Sequence, residues 1–295
     1  MKVVVKGGKY DETFPLQRGK YDEFKGANMT KLYRGSILFT VALFCGIIYF
    51  RGGTMDKSDK LELVVKSNDL IRKTRYSLSE QEQKIIIYLI SKIKSDDKEF
   101  NRVELSISEF CRISNIRHTG TTNKSIKKHI KVLSDKSWWI TIGTSEVLFR
   151  WIENVEINKG IISLKLSEFL KPFLLDLKNN FTKYELINVL VLRGKYSIRL
   201  YEILKSYLWQ KGFTISLEEL KQILQCPNYK TYKDFRIRIL DYSLKEINEY
   251  TDIEVQYKPI KQGKRIVSLE FTIIEKKGVQ IAFDTVLRQI ERLGE

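Results

Sequence analysis

Residues 77–93, SLSEQEQKIIIYLISKI, place Ile86, Leu89, Ile90 and Ile93 three or four positions apart behind an opening serine and early acids. This spacing predicts a capped amphipathic helix. VELSISEFCRI (103–113) reads as a short strand, a serine at a turn and a short helix, and NIRHTGTTN (115–123) as a turn carrying Gly120. In TTNKSIKKHIKVL (121–133), Ile126, Ile130 and Leu133 share one side of another helix. Three β-rich runs follow, WWITI (138–142), EVLFRWIENVEI (146–157) and GIISLKL (160–166), with Asn158-Lys159-Gly160 as a hairpin turn.

The second half repeats the plan. TKYELINVLVL (182–192) and KYSIRLYEILKSYLW (195–209) predict helices, and FTISLEELKQIL (213–224) predicts a strand, a serine cap and a helix that stops before Pro227. TYKDFRIRILDYSLKEINEY (231–250) is a further helix, with Phe235, Ile239, Leu240 and Ile247 as core candidates. DIEVQYKPI (252–260) and RIVSLEFTII (265–274) are strands joined by the basic tip KQGKR (261–265). An Ile-Ser pair opens the helix in both halves, at Ile107 and Ile215. Helix, short strand, helix, turn, helix and β-hairpin is the order of a winged helix, a helix-turn-helix variant whose third helix enters the DNA major groove.

The pattern therefore predicts an α+β chain of two tandem winged-helix domains, at 55–167 and 168–278, with a helical C-terminal tail at 279–295. Residues near 168–181 join the two, and no longer linker is visible, so the units are expected to pack together. Trp138, Trp139 and Trp151 lie on β runs, where core or interface packing is the default and a base-stacking platform the alternative.

Charge changes the picture. The 295 residues carry a formal net charge of +16; the first 54 hold nine Lys/Arg and four Asp/Glu, which leaves +11 on the remaining 241. The basicity belongs to the folded body, and such a field attracts polyanions, nucleic acid foremost and anionic membrane second. Two predicted helices carry the candidate DNA-facing cations. Lys124, Lys128 and Lys131 stand opposite the apolar stripe of 121–133, with Lys127 on its flank and no acid in the stretch. With Thr122 and Asn123 at its start, this helix is expected to grip phosphates, for which a flexible point charge is suited.

The helix at 231–250 brings Lys230, Lys233, Arg236 and Arg238 instead, and arginine is the bidentate reader of guanine. Arg238 faces away from the core stripe. Arg236 lies nearer to it, either contacting DNA or pairing internally. Lys261, Lys264 and Arg265 at the hairpin tip would meet phosphate or the minor groove.

Little in the chain suggests catalysis. Cys45, Cys111 and Cys226 are far apart, which excludes a disulfide framework, fits a reducing cytoplasm and leaves no CxxC zinc site. The only histidines, His118 and His129, form no metal motif, and neither GxxxxGK[ST] nor GxSxG occurs. No metal, no cofactor and no enzymatic activity are expected.

Residues 1–54 read differently. GKYDE occurs at 8–12 and again at 19–23, and ILFTVALFCGIIYF (37–50) runs fourteen residues without a charge. That is short for a membrane span, which needs about 20 apolar residues. It reads as a membrane-facing segment, a packed helix or strand, or part of an upstream extension outside the functional protein. Met55 then opens a stretch that reads as the start of a soluble domain.

YSIRLYEILKSY (196–207), FTISLEELKQIL and YKDFRIRILDYSLKEINEYTDIEV (232–255) together resemble the iteron-binding Rep type-3 initiators of theta-replicating plasmids, and VVKSNDLIRKTRYSLSEQEQKIIIYLI resembles that family's opening. The likeness covers about residues 60–275; the segment 1–54 has no place in it. It implies two winged-helix domains that bind direct repeats in the double-stranded plasmid origin as monomers and open neighbouring AT-rich DNA. Dimers in equilibrium with the monomers would bind an operator inverted repeat and repress the chain's own gene, and host initiator and helicase proteins would follow. The first domain would supply the dimer interface and backbone contacts, the second most base reading through 231–250. The rival readings are a transcriptional repressor with the same domains, a nicking initiator, which lacks its paired-histidine metal site here, and a membrane-tethered regulator resting on 37–50.

Overall fold

The computed structural model describes residues 62–113, 122–142, 144–226, 229 and 231–276, and outside them only four short strands. Residues 1–45 form one unit, in which β1 (Lys2–Val5) pairs antiparallel with β2 (Glu12–Pro15). The unit 46–295 holds the rest, beginning with the paired strands β3 (Ile48–Phe50) and β4 (Gly53–Met55). The remainder of 1–54, with most of the apolar run 37–50, and the predicted tail helix at 279–295 lie outside the described residues. Among those residues no helix is long and apolar enough to cross a membrane.

The first half of the body runs β5 (Leu63–Ser67), α1 (Asn68–Arg72), α2 (Glu80–Ser91), β6 (Val103–Ser106), α3 (Ile107–Ile113) and α4 (Thr122–Asp135). Then come the hairpin β7 (Ser137–Ile142) and β8 (Ser145–Arg150), and the pair β9 (Ile152–Asn158) and β10 (Ile161–Leu166). The hairpin turn sits where expected, with Lys159 at φ 46° and Gly160 at φ 82°. The sheet order is β6-β10-β9.

The second half, after the short helix α5 (Lys171–Leu174), runs β11 (Phe181–Glu185), α6 (Ile187–Leu190), α7 (Lys195–Ser206), β12 (Gly212–Ser216) and α8 (Leu217–Leu224). One continuous helix follows, α9 (Tyr232–Phe235), a π-helical stretch Arg236–Asp241 and α10 (Tyr242–Tyr250), then β13 (Ile253–Gln262) and β14 (Arg265–Glu275). Its sheet order, β12-β14-β13, repeats the topology of the first. Each half is a winged helix, with its last strand in the middle of the sheet.

Caps fix the helix starts. Ser79 and Glu82 form a reciprocal capping box at α2. Ser106 accepts from the Glu109 amide at α3, and Ser216 from the Glu219 amide at α8. The equivalent residues of the two halves are therefore these two serines. Ile107 is the first residue of its helix, whereas Ile215 is buried at the end of a strand, so the Ile-Ser alignment is out of register.

Two elements depart from the sequence reading. The stripe on 77–93 predicted one buried face, but all of Ile85–Ile90 is buried, because α2 packs against β5, β10, α3, α4 and also α7. Residues 182–192 are not one helix. Thr182 and Tyr184 point inward while Phe181 and Lys183 point outward, a period of two, and the segment forms β11 against β5 in the register Phe181↔Ser67 to Glu185↔Leu63. Only Ile187–Leu190 is helical.

Behind the β5–β11 sheet, residues far apart in the chain share a buried polar network. Lys66 Nζ lies 2.6 Å from Glu202 Oε1, with the two side chains 2% and 1% exposed. Tyr184 donates to the same oxygen at 2.5 Å. Arg199 donates from α7 to the Ile71 carbonyl at 2.7 Å and the Thr74 carbonyl at 3.1 Å. Thr182 and Asn180 bond the two sides of the Asn68 amide. Beyond it, Lys205 pairs with Asp252 at 2.5 Å, and Glu246 accepts from the Gly194 amide at 3.0 Å.

Trp138 and Trp151 join the first core with ring centroids 4.4 Å apart, and Tyr76 stands edge-on to Trp151 at 5.0 Å. Trp139, on the opposite face of the same strand, is 62% exposed and lies outside the core.

Candidate nucleic-acid interface

Helix α4 buries Ile126, Ile130 and Leu133 and leaves Lys124, Lys127, Lys128 and Lys131 exposed. Its first turn holds no acid, and there Thr122 and Asn123 stand. The one compensating acid lies just past the lysine run: Asp135 pairs with Lys131 at 2.8 Å, both side chains well exposed. Such an i,i+4 pair is worth about 0.3–0.5 kcal/mol, too little to keep Lys131 from a stronger anion. Lys124, Lys127 and Lys128 have no ion pair among the described residues.

In the second half, Thr231 caps the helix by accepting from the Asp234 amide at 3.1 Å. Phe235, Ile239, Leu240 and Ile247 are fully buried, as their spacing predicted. Lys233 and Arg238 project from the helix with no ion pair among the described residues. Arg236 lies 3.4 Å from Asp241, which settles its internal partner. Residues five apart become neighbours through the i→i+5 bonding of a π-helix, and Arg236 and Asp241 are the first and last of that stretch.

Asp241 has a second role that the sequence did not disclose. It accepts from Tyr257 Oη of β13 at 2.8 Å, tying the helix to the wing. Burial pushes the Tyr257 phenol up, and its hydrogen bonds with Asp241 and Tyr232 add to this, so it stays a proton donor. At the wing tip, Gly263 turns the chain at φ 61° and a register shift follows Ile260, leaving Lys261, Lys264 and Arg265 exposed. Lys230 lies outside the described residues.

Missed in the sequence was Ile237, which is 49% exposed between the two arginines. Its signal was present, since it breaks the inward spacing of Phe235, Ile239 and Leu240. Among the described residues no cluster of three His, Cys, Asp or Glu side chains could hold a metal. The arrangement offers cations on two helices and a wing, a set suited to holding anions.

A family model described as Initiator Replication protein, WH1, matches residues 63–205, and one described as Initiator Rep protein, WH2, matches 216–273. A Replication initiation protein of Escherichia coli is 27% identical over 250 residues, covering 79% of this chain and 77% of that protein. A PI protein of Escherichia coli is 28% identical over 136 residues, 40% of this chain and 45% of that protein. Among solved structures, the Pi initiator protein in complex with iteron DNA superposes with a TM-score of 0.61 at 20% identity, covering 74% of this chain and 99% of that one. That superposition supports the fold. With the two winged-helix models matched in order and together spanning well over half of its length, the chain belongs to the Rep3 family of initiator replication proteins.

Proposed function

We propose that the chain is a plasmid DNA replication initiator that binds iterons, short direct repeats in double-stranded origin DNA. The observation that carries this reading is the pair of matched winged helices, each presenting a helix with outward cations, of which Lys124, Lys127, Lys128, Lys233 and Arg238 have no ion pair among the described residues. The relative solved on iteron DNA supports it. Lys124, Lys127, Lys128 and Lys131, with Thr122 and Asn123, hold the backbone and give a salt-dependent affinity. Lys230, Lys233 and Arg238 work from the second helix, with Arg238 as the base reader. Arg236 joins them when it exchanges Asp241 for DNA. Lys261, Lys264 and Arg265 place the wing on phosphate or in the minor groove.

The labour divides between 55–167, which supplies dimerisation and backbone contacts, and 168–278, which reads bases. Monomers loaded side by side bend and wrap the origin, and binding energy does the work of opening it. Dimers occupy an inverted repeat and repress the gene, host initiator and helicase proteins follow, and no covalent chemistry is involved.

The test is a titration of the purified chain on the repeats flanking its own gene and on scrambled duplex, across a salt series. Preference for the repeats by at least ~10³-fold is expected. Arg238→Ala should relax specificity at one position, at a cost of about 1–3 kcal/mol. Lys128→Ala should weaken all duplexes alike and reduce the salt slope by about one. Equal, salt-sensitive binding to both duplexes would overturn iteron recognition.

A further inference from the structure

We infer that Ile237 is a specificity-determining residue that reads the 5-methyl group of a thymine in the major groove. The inference rests on the proposed reading that the helix 232–250 enters that groove, and it names one chemical feature of the DNA that the groove must present.

Three observations lead to it. First, the helix turns Phe235, Ile239 and Leu240 inward, where all three are fully buried. Ile237 is half exposed, at 49%, and lies outside the hydrophobic core, the one aliphatic residue of the stretch 235–240 to do so. Secondly, its neighbours in the chain are the two arginines, and the structure treats them differently. Arg236 is held to Asp241 at 3.4 Å, and Asp241 is itself held by Tyr257 at 2.8 Å, so one side of Ile237 is flanked by a braced charge. Arg238, on the other side, is unpaired among the described residues.

Thirdly, the polar side chains of this surface leave one kind of base-pair information unread. Arginine recognises guanine through O6 and N7, and lysine a phosphate. In the major groove thymine is distinguished by O4 and by its methyl group, and the methyl is met by an apolar side chain. A lone exposed aliphatic residue is ordinary on a protein surface. One placed beside an unpaired arginine, on the helix that faces the bases, is where a methyl contact belongs. Because Ile237 and Arg238 are adjacent, the thymine should neighbour the guanine that Arg238 reads.

The experiment uses the full chain and a duplex enriched from a random-sequence pool by binding to it. Each thymine is replaced in turn by deoxyuridine, which deletes only the methyl group, and each guanine by 7-deazaguanine, which deletes only N7. Wild-type protein should lose about four-fold in affinity at one thymine, the equivalent of one methyl group left in water. Ile237→Ala should bind more weakly overall and become insensitive to deoxyuridine at that thymine, with its response at every other position unchanged. An exposed side chain is being truncated, so the fold should be intact, which far-ultraviolet circular dichroism checks.

If Ile237→Ala still loses four-fold at the same thymine, or if no thymine methyl matters to wild type, the inference is overturned. In that case 7-deazaguanine sensitivity in wild type would leave the Arg238 reading standing. If the selected duplex binds no better than a scrambled one, the proposed function and this inference fail together.

Discussion

Lys66 and Glu202 offer the sharpest test of how strand β5 and helix α7 hold together. Lys66→Met keeps the hydrocarbon volume and removes the charge. Glu202 would then retain the Tyr184 hydroxyl at 2.5 Å, and Arg199 Nη1 at 3.9 Å as its nearest remaining cation. Both members of the pair are almost wholly inaccessible, at 2% and 1%, so water cannot replace the lost partner. Breaking such a pair from one side costs about 3–5 kcal/mol, most of it the penalty of the stranded charge. For a body of this size each kcal/mol moves the melting temperature by about 2–4 °C, so a fall of roughly 10 °C is expected.

Lys66→Met/Glu202→Gln should recover more than half of that loss, because the amide still accepts from Tyr184 and no charge is stranded. Urea unfolding followed by tryptophan fluorescence and circular dichroism gives both free energies, and the m-value should not change. A single-variant cost below about 1 kcal/mol, the value typical of exposed pairs, would refute the reasoning. It would mean that the space between β5 and α7 admits water.

Two further outcomes can be checked directly. Burial pushes the Glu202 carboxyl up, but Lys66 and then Arg199 more than cancel this, so its pKa falls below the ordinary 4.5. A carboxylate depressed in the folded state contributes stability above its unfolded pKa and loses it as the pH falls through the folded value. The stability difference between wild type and Glu202→Gln should therefore be constant near neutrality and shrink below pH 4.5; a difference that persists undiminished in acid would contradict it. Separately, a Cβ at Gly212 would stand 2.2 Å from the Phe271 carbonyl oxygen, at a φ of +155°. Gly212→Ala should cost at least about 2 kcal/mol, the upper half of the range for overpacking. An unchanged thermal midpoint would show that β12 and β14 can separate freely.

What could be read from the chain followed from local periodicity. The two third helices, the hairpin turn at Lys159-Gly160 and the buried positions Ile126, Ile130, Phe235 and Ile239 all obey spacings of three or four residues, or turn chemistry, that any short window displays. The exposed lysines of α4 were legible for the same reason. The losses came where partners are distant in sequence. Thr182 and Tyr184 alternate as a strand does, yet a window rich in Leu and Val reads as a helix until β5 is known to lie beside it. The Arg236–Asp241–Tyr257 tie needs a π-helical stretch and a strand from the wing, neither of which a helical wheel contains. Ile237 shows in the sequence only as a break in the inward spacing, between two arginines whose charge dominates the stretch.

The pairing of β5 with β11 also has a consequence for synthesis. Leu63 meets Glu185 and Ser67 meets Phe181, so the strand that opens the body emerges from the ribosome long before its partner exists. At about 5–20 residues per second the wait is on the order of ten seconds. Throughout it Lys66 has neither Tyr184 nor Glu202 to meet. Strand β5 is thus completed by a segment made much later, and a chain arrested before Phe181 would carry an unpaired edge and an unmatched lysine.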